Sequence, residues 1–278
     1  MRRKSFLVSF VVLVIGVLIL GSIVFDNRSD NTIAKAKISM EELKRKEDER
    51  VRQLHPLYQK LYFHDIKSIK LIGDSITAGV GSSGHSTPET NTVIFEEKDE
   101  IYYEGKQTTK SWANLLRNYT QSIQIQLPEY LNAGIGGKSA EWTLHHIDSL
   151  IQDEDVVFVM LGTNDRLNGT VEGYEEIMRE LLSIIDERSE LMIVMSPPPS
   201  SNSYADFNFE AKDIDTVLKR ISDENDYNFI SQYDAINNYL EENEEVEYED
   251  LMETVGAHPT DKGYEVMWKE IRKKFDLN

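Results

Sequence analysis

Four short stretches of this chain carry groups able to act on a carbonyl: Gly73-Asp74-Ser75-Ile76-Thr77, Asn132-Ala133-Gly134-Ile135-Gly136-Gly137, Gly162-Thr163-Asn164-Asp165 and His258-Pro259-Thr260. Ser75 offers a hydroxyl nucleophile, and His258 offers an imidazole to take its proton. The glycine-rich stretch and Asn164 offer backbone and side-chain N–H groups, the donors that stabilise a developing oxyanion. Serine first and histidine last is one of several chain orders that build this geometry. The set suits acyl transfer.

Taken singly, each stretch is ordinary turn chemistry, because glycine and Asn-Asp are frequent where strands end. Their placement is less ordinary. Ser75 follows the apolar run 69–72 and Gly162 follows the run 156–161, and both runs read as buried strands. Both motifs therefore fall at the carboxyl ends of strands, where open α/β sheets bind ligands. The nucleophile elbow of the α/β-hydrolases is absent, since Thr77 stands where its second glycine belongs. Gly134, Gly136 and Gly137 are too closely spaced for a dinucleotide fingerprint, and no Walker-type loop occurs.

With all four stretches in this order, the sequence resembles the SGNH, or GDSL-type, hydrolases from about Ile69 to Tyr264. The resemblance implies that Ser75 is the nucleophile and His258 the general base. It makes the Ser75 and Gly137 backbone N–H groups and the Asn164 side chain the oxyanion hole. It also implies a flavodoxin-like three-layer α/β/α sandwich around a parallel sheet. Asp74, beside the nucleophile, and Glu253, near the base, are candidate supporting carboxylates. The family usually carries an aspartate three residues before the histidine, and here that position is Val255. The aspartate normally orients the imidazole and stabilises the imidazolium. Three outcomes are open: a main-chain carbonyl accepts the Nδ1 proton, Glu253 or Asp250 reaches back, or the site binds without turning over.

The elements that must position these residues are legible as alternation. Apolar strand candidates recur near 69–72, 123–127 or 130–132, 156–161, 191–195 and 229–230, with helical patterns at 111–119, 139–151, 174–187, 209–222 and 261–275. Such alternation predicts a parallel sheet covered by helices on both faces. Ser139 and Asp261 are candidate helix caps. A helix starting just after His258 would leave the histidine on the preceding loop.

The N-terminus reads as a membrane anchor. Residues 1–5 carry Arg2, Arg3 and Lys4, and the apolar run 6–25 is long enough to cross a hydrocarbon core of about 30 Å. A cleavable signal is the competing reading, but its apolar core is usually about 7 to 15 residues and ends at a small-residue site. Basic residues on the cytoplasmic side put the rest of the chain outside, in a single-pass arrangement of bacterial type. The charged segment 26–66 reads as a helical stalk, and 67–278 as the hydrolase domain. The absence of cysteine excludes a lipoprotein attachment and any disulfide.

The formal charge is −19, and setting aside Arg2, Arg3 and Lys4 makes the outward part more acidic still. Nucleic acid is not expected as a partner on that ground, and the mean field would not draw in anionic polymers, although a local cleft can differ. His145 and His146 are adjacent rather than four apart on a helix, and the other histidines lack ligand-type neighbours, so neither metal nor cofactor is expected. The long stretch 81–110, read as a hairpin beside Ser75, and the Pro-Ser stretch 197–204 are candidates for substrate choice.

These readings converge on an outward-facing, membrane-anchored serine ester hydrolase removing short acyl groups, acetyl foremost, from a cell-envelope carbohydrate. Two alternatives stand beside it: an O-acyltransferase fed by a separate acyl-donor partner, and a non-catalytic envelope-binding protein on the same fold.

Overall fold

Strands buried on both faces are apolar at nearly every position, whereas the helices covering them need only one apolar stripe. The chain follows that division. The computed structural model describes residues 29–85, 92–104, 109–124, 128–200, 206–253 and 257–277. Its elements are α1 (Ser29–Val51), α2 (Pro56–Tyr62), β1 (Ser68–Gly73), α3 (Ser75–Ala78), β2 (Val93–Glu97), β3 (Glu100–Tyr103), α4 (Trp112–Ile123), β4 (Glu129–Gly134), α5 (Ala140–His145), α6 (Ile147–Leu150), β5 (Glu154–Met160), α7 (Val171–Glu187), β6 (Ser189–Ser196), α8 (Ala211–Asn225), β7 (Asn228–Ser231), α9 (Gln232–Glu242), α10 (Tyr248–Leu251) and α11 (Asp261–Lys274). A single 3-10 turn lies at Asp165–Leu167.

Two units divide the chain at residues 55 and 56. The first contains α1, a charged helix with exposed Glu42–Lys46, Glu47–Arg50 and Arg45–Glu49 pairs, each worth a few tenths of a kcal/mol at most. Among the described residues no helix is long and apolar enough to cross a membrane. The apolar run 6–25 and the basic residues before it lie outside the described residues.

The second unit is an α/β fold on a five-stranded parallel sheet of order β4-β1-β5-β6-β7. Alternate residues of β5 face opposite layers. Val156, Phe158 and Met160 pack with Trp112, Leu116, Tyr264, Ile271 and Phe275 on one side. Val157 and Val159 pack with Met178, Leu181, Ile185, Leu218 and Ile221 on the other. Each such side chain withdrawn from water contributes about 1.5–3 kcal/mol. An antiparallel pair, β2-β3, forms a separate hairpin within the stretch expected to carry one.

The structure differs from the sequence expectation in several places. The second strand is β4, over 129–134, and Ile123 ends α4 instead of opening a strand. The helix expected over 139–151 breaks at His146, whose ring Nδ1 lies 2.7 Å from the Trp142 carbonyl and competes for the helical bond. Residues 56–66, expected as the end of the stalk, belong to the second unit, because Leu57 and Leu61 are fully buried in its core. Thr260, not Asp261, caps α11 by accepting from the Gly263 N–H. Helices α3, α9 and α10 have no counterpart among the helical patterns of the sequence; α9 buries only Gln232, Ala235 and Ile236, too few to reveal a stripe.

Candidate active site

Strand β1 ends at Gly73, and the chain turns at once into the one-turn helix α3, leaving Ser75 at its first position. Asp74 fixes that turn: its Oδ1 accepts from the Ile76 N–H at 2.9 Å. Tyr264, from α11, donates its hydroxyl to the Val80 carbonyl at 2.6 Å, with the Ile76 carbonyl at 3.0 Å. The helix that follows the histidine is thereby tied to the loop that bears the serine. His258 Nε2 lies 2.9 Å from Ser75 Oγ, although 183 residues separate them.

His258 sits on a loop, as expected, and is half-buried. The loop is pinned by an antiparallel bridge between Met252 and Pro259, by Thr260 N–H to Leu251 O, and by Glu253 N–H to His258 O, both at 2.9 Å. Glu253 thus stands across from the histidine, and its Oε2 is 3.5 Å from Nδ1. That distance exceeds the usual 2.7–3.2 Å of an N–H···O bond, so the contact is a loose one that becomes an ion pair only when the imidazole is protonated. Asp250 is turned elsewhere: its Oδ2 accepts from the Glu247 N–H and faces Lys262. Val255 lies outside the described residues. Burial holds the His258 imidazole below its ordinary value; Glu253 opposes this shift and His85 adds to it. A neutral imidazole at neutral pH can accept a proton.

The rim opposite the histidine is built by β4 and β5. Asn132 joins β4 to the serine turn through Nδ2 to the Thr77 carbonyl at 2.8 Å, and its Oδ1 accepts from the Gly134 N–H at 3.0 Å. The chain then passes Gly136, where an added Cβ would come within 3.8 Å of the Ser75 Cβ. Gly137 has φ 77°, a left-handed conformation that glycine adopts without strain, and open space surrounds the position of its absent Cβ. Beyond β5, Asn164 donates Nδ2–H to the Lys138 carbonyl at 2.9 Å. That bond uses one amide hydrogen and fixes the plane of the other. Asp165 accepts from the Ala140 N–H through both oxygens at 3.0 and 3.1 Å, tying the two rim loops together.

Two carboxyls sit beneath this rim. Burial pushes Asp74 up to about 7 against the Ile76 bond, with Asp165 adding to the rise. Burial also lifts Asp165 to about 6 against its bond from Ala140. Asp74 is therefore a buried structural cap of the serine turn and has no contact with His258.

Ser75, Gly137, Asn164 and His258 thus meet at one end of the sheet, with Asp74 and Glu253 at its margin. Sequence reasoning missed three participants. Gly81 packs against the base loop so closely that a Cβ would lie 2.4 Å from the Pro259 carbonyl and 2.9 Å from the His258 Cβ. The Tyr264 hydroxyl gives no motif signal. Lys138, adjacent to the glycine pair, was readable only as a neighbour. Of the two segments expected near the site, 86–91, 105–108 and 201–205 fall outside the described residues. Pro199 and Ser200 are held by Tyr248 and Arg166. Among the described residues no group of three or more His, Asp or Glu could hold a metal.

The model of the GDSL-like lipase/acylhydrolase family matches residues 71–266. No curated protein matches the chain significantly. Among solved structures, a catalytic mutant of Axe2, an acetylxylan esterase from Geobacillus stearothermophilus, is similar at 19% identity and a TM-score of 0.59, covering 76% of this chain and 95% of that one. Unmutated Axe2 gives 20% and 0.57, with 75% and 94% covered. The lipase/acylhydrolase from Enterococcus faecalis gives 19% and 0.57, with 75% and 95% covered. At these identities the likeness is one of fold.

Proposed function

The chain belongs to the GDSL-like lipase/acylhydrolase family, and from that premise we propose that it is a serine esterase removing short acyl groups, acetyl foremost, from a cell-envelope carbohydrate. Family membership carries the reaction class, carboxylic ester hydrolysis. The observation that carries the residue assignment is the 2.9 Å approach of His258 Nε2 to Ser75 Oγ.

In the proposed mechanism, Ser75 Oγ attacks the ester carbonyl carbon while His258 Nε2 takes the hydroxyl proton. The carbonyl oxygen becomes an oxyanion and receives hydrogen bonds from the Ser75 and Gly137 N–H groups and the second Nδ2–H of Asn164. Glu253 steadies the imidazolium from the Nδ1 side. Collapse of the tetrahedral species breaks the bond to the leaving alkoxide, which takes the proton from Nε2. Water then attacks the acyl-enzyme, giving a proton to His258; collapse breaks the bond from the acyl carbon to Ser75 Oγ, which takes that proton back from Nε2 as the acid leaves.

The preference for acetylated carbohydrate draws on the acetylxylan esterases of like fold and on the outward placement that the N-terminal apolar run implies. That run anchors the enzyme in the membrane in this reading, with the basic tip in the cytoplasm.

Fluorophosphonate labelling of the full-length protein tests the proposal. Wild type is expected to label, with labelling lost in Ser75→Ala and reduced in His258→Ala. Absence of labelling in a folded wild type would remove Ser75 as an activated nucleophile. Acetate released from acetylated glycans in water, rather than passed to an added sugar, separates hydrolysis from transfer.

A further inference from the structure

Lys138 directly follows Gly137, and its side chain runs back over a wall of rings. Its Nζ lies 4.7 Å from the Trp142 ring centroid and 5.4 Å from that of Tyr102, both within cation–π range. Tyr102 stacks on Phe95 at 4.6 Å across the β2-β3 hairpin, and Trp142 stacks on His146 at 4.0 Å. Tyr102 and Trp142 approach to 5.5 Å, so hairpin and α5 form one continuous surface beginning a single residue beyond Gly137.

In so acidic a protein a cation on a residue that adjoins the oxyanion loop, its carbonyl held by Asn164, would ordinarily be neutralised. The hairpin's nearby acids are committed elsewhere: Glu97 Oε2 lies 2.7 Å from His146 Nε2, and Glu100 accepts the Tyr102 hydroxyl at 2.6 Å. Among the described residues no carboxylate oxygen lies within 4.0 Å of the Lys138 ammonium, which is held by rings on one side and is half-buried. An ammonium so placed keeps its capacity to donate to an anion.

We propose that Lys138, braced on Tyr102 and Trp142, is a specificity-determining residue that recognises an anionic group, a carboxylate or phosphate, on the alcohol portion of the ester. This inference rests on the reading of Ser75 as nucleophile, which fixes where the ester carbonyl lies. The acidity of the rest of the protein does not oppose it. At physiological ionic strength charges beyond about 8 Å are screened, whereas a direct contact is not.

Three ring-matched ligands test it by calorimetry on full-length Ser75→Ala: methyl 2-O-acetylglucoside, the corresponding glucuronide and the corresponding 6-phosphate. The charged esters are expected to bind about 10-fold more tightly than the neutral one, the range of a charge-assisted contact discounted for exposure. The preference should vanish on adding Lys138→Met, whose stem still covers Trp142, and survive Lys138→Arg. Whichever charged ester is preferred identifies the source of the anion. Equal binding of the three, binding of none, or a preference that survives Lys138→Met would overturn the proposal. If Lys138→Met does not fold, Lys138→Gln serves. Wild-type turnover separates the two readings. Lys138-dependent binding without acetate release would sink the hydrolase assignment alone, whereas equal hydrolysis of all three esters with no binding preference would sink only this one.

Discussion

Glu253 and His258 are joined twice, once through the backbone, where the Glu253 N–H donates to the His258 carbonyl at 2.9 Å, and once through side chains, where Oε2 stands 3.5 Å from Nδ1. The backbone bond sets the carboxylate opposite the ring without the spacing of an Asp three residues before the His. Glu253 raises the His258 value while burial lowers it. Glu253→Gln removes the raising influence, so the acid limb of kcat/KM should move to lower pH than in wild type, and kcat on the plateau should fall about 10-fold or more, as loss of a group that orients the imidazole does. A pH–rate profile of both proteins on 4-nitrophenyl acetate reads both effects. An unmoved limb would show that Glu253 does not act on the base.

Asn164 is held by Lys138 and lies on a rim loop separate from the nucleophile, so its amide can be deleted without disturbing the Ser75–His258 pair. Asn164→Ala should lower kcat by about 10²- to 10³-fold, the usual effect of losing one oxyanion donor, with a Tm close to that of wild type. Unchanged turnover would remove Asn164 from the mechanism.

Gly81 has φ 91° and lies against the base loop. Gly81→Ala both strains the backbone, at about 1–3 kcal/mol, and displaces Pro259 and His258. The expected result is a lowered Tm together with a fall in kcat approaching 10²-fold, as a displacement of about 1 Å can produce. Loss of stability with full kcat would mean that the loop relaxes without moving the ring.

Asp74 titrates in the folded state near 7 against an ordinary 3.8. A raised carboxyl binds its proton more tightly when folded, so its contribution to stability is fully present below about pH 4 and is lost as pH rises through 7. Asp74→Asn keeps an oxygen for the Ile76 N–H but cannot ionise. Its Tm relative to wild type should therefore improve between pH 5 and pH 8.5, measured by thermal denaturation. A difference constant with pH would mean that Asp74 does not change its charge over this range.

What the sequence made legible follows from where the physical signal is local. Over 156–160 and 191–195, β5 and β6 are buried on both faces and so appear as unbroken apolar runs; β1 reads alike apart from Lys70, which pairs with Glu154, and the turns after β1 and β5 carry Ser75 and Asn164. β4 is an edge strand containing Glu129 and Asn132, and its pattern is too weak to fix its limits. The helix break at His146 depends on a ring-to-carbonyl bond, which composition does not reveal. Residue type alone does not single out the partner of His258, because that depends on two loop segments pairing, a matter of register. The wall formed by Phe95, Tyr102, Trp142 and Lys138 joins segments some forty residues apart, and no local periodicity encodes such contacts.

The tie from Tyr264 to the serine turn has a consequence for the order of events in biosynthesis. In the proposed mechanism the nucleophile is made early and the base late, and Tyr264 ties their loops together only once α11 has docked. A chain emerging from the ribosome therefore carries Ser75 without His258 for most of its length. In that mechanism turnover waits for the last helix to close, so enzymatic competence reports completion of the fold.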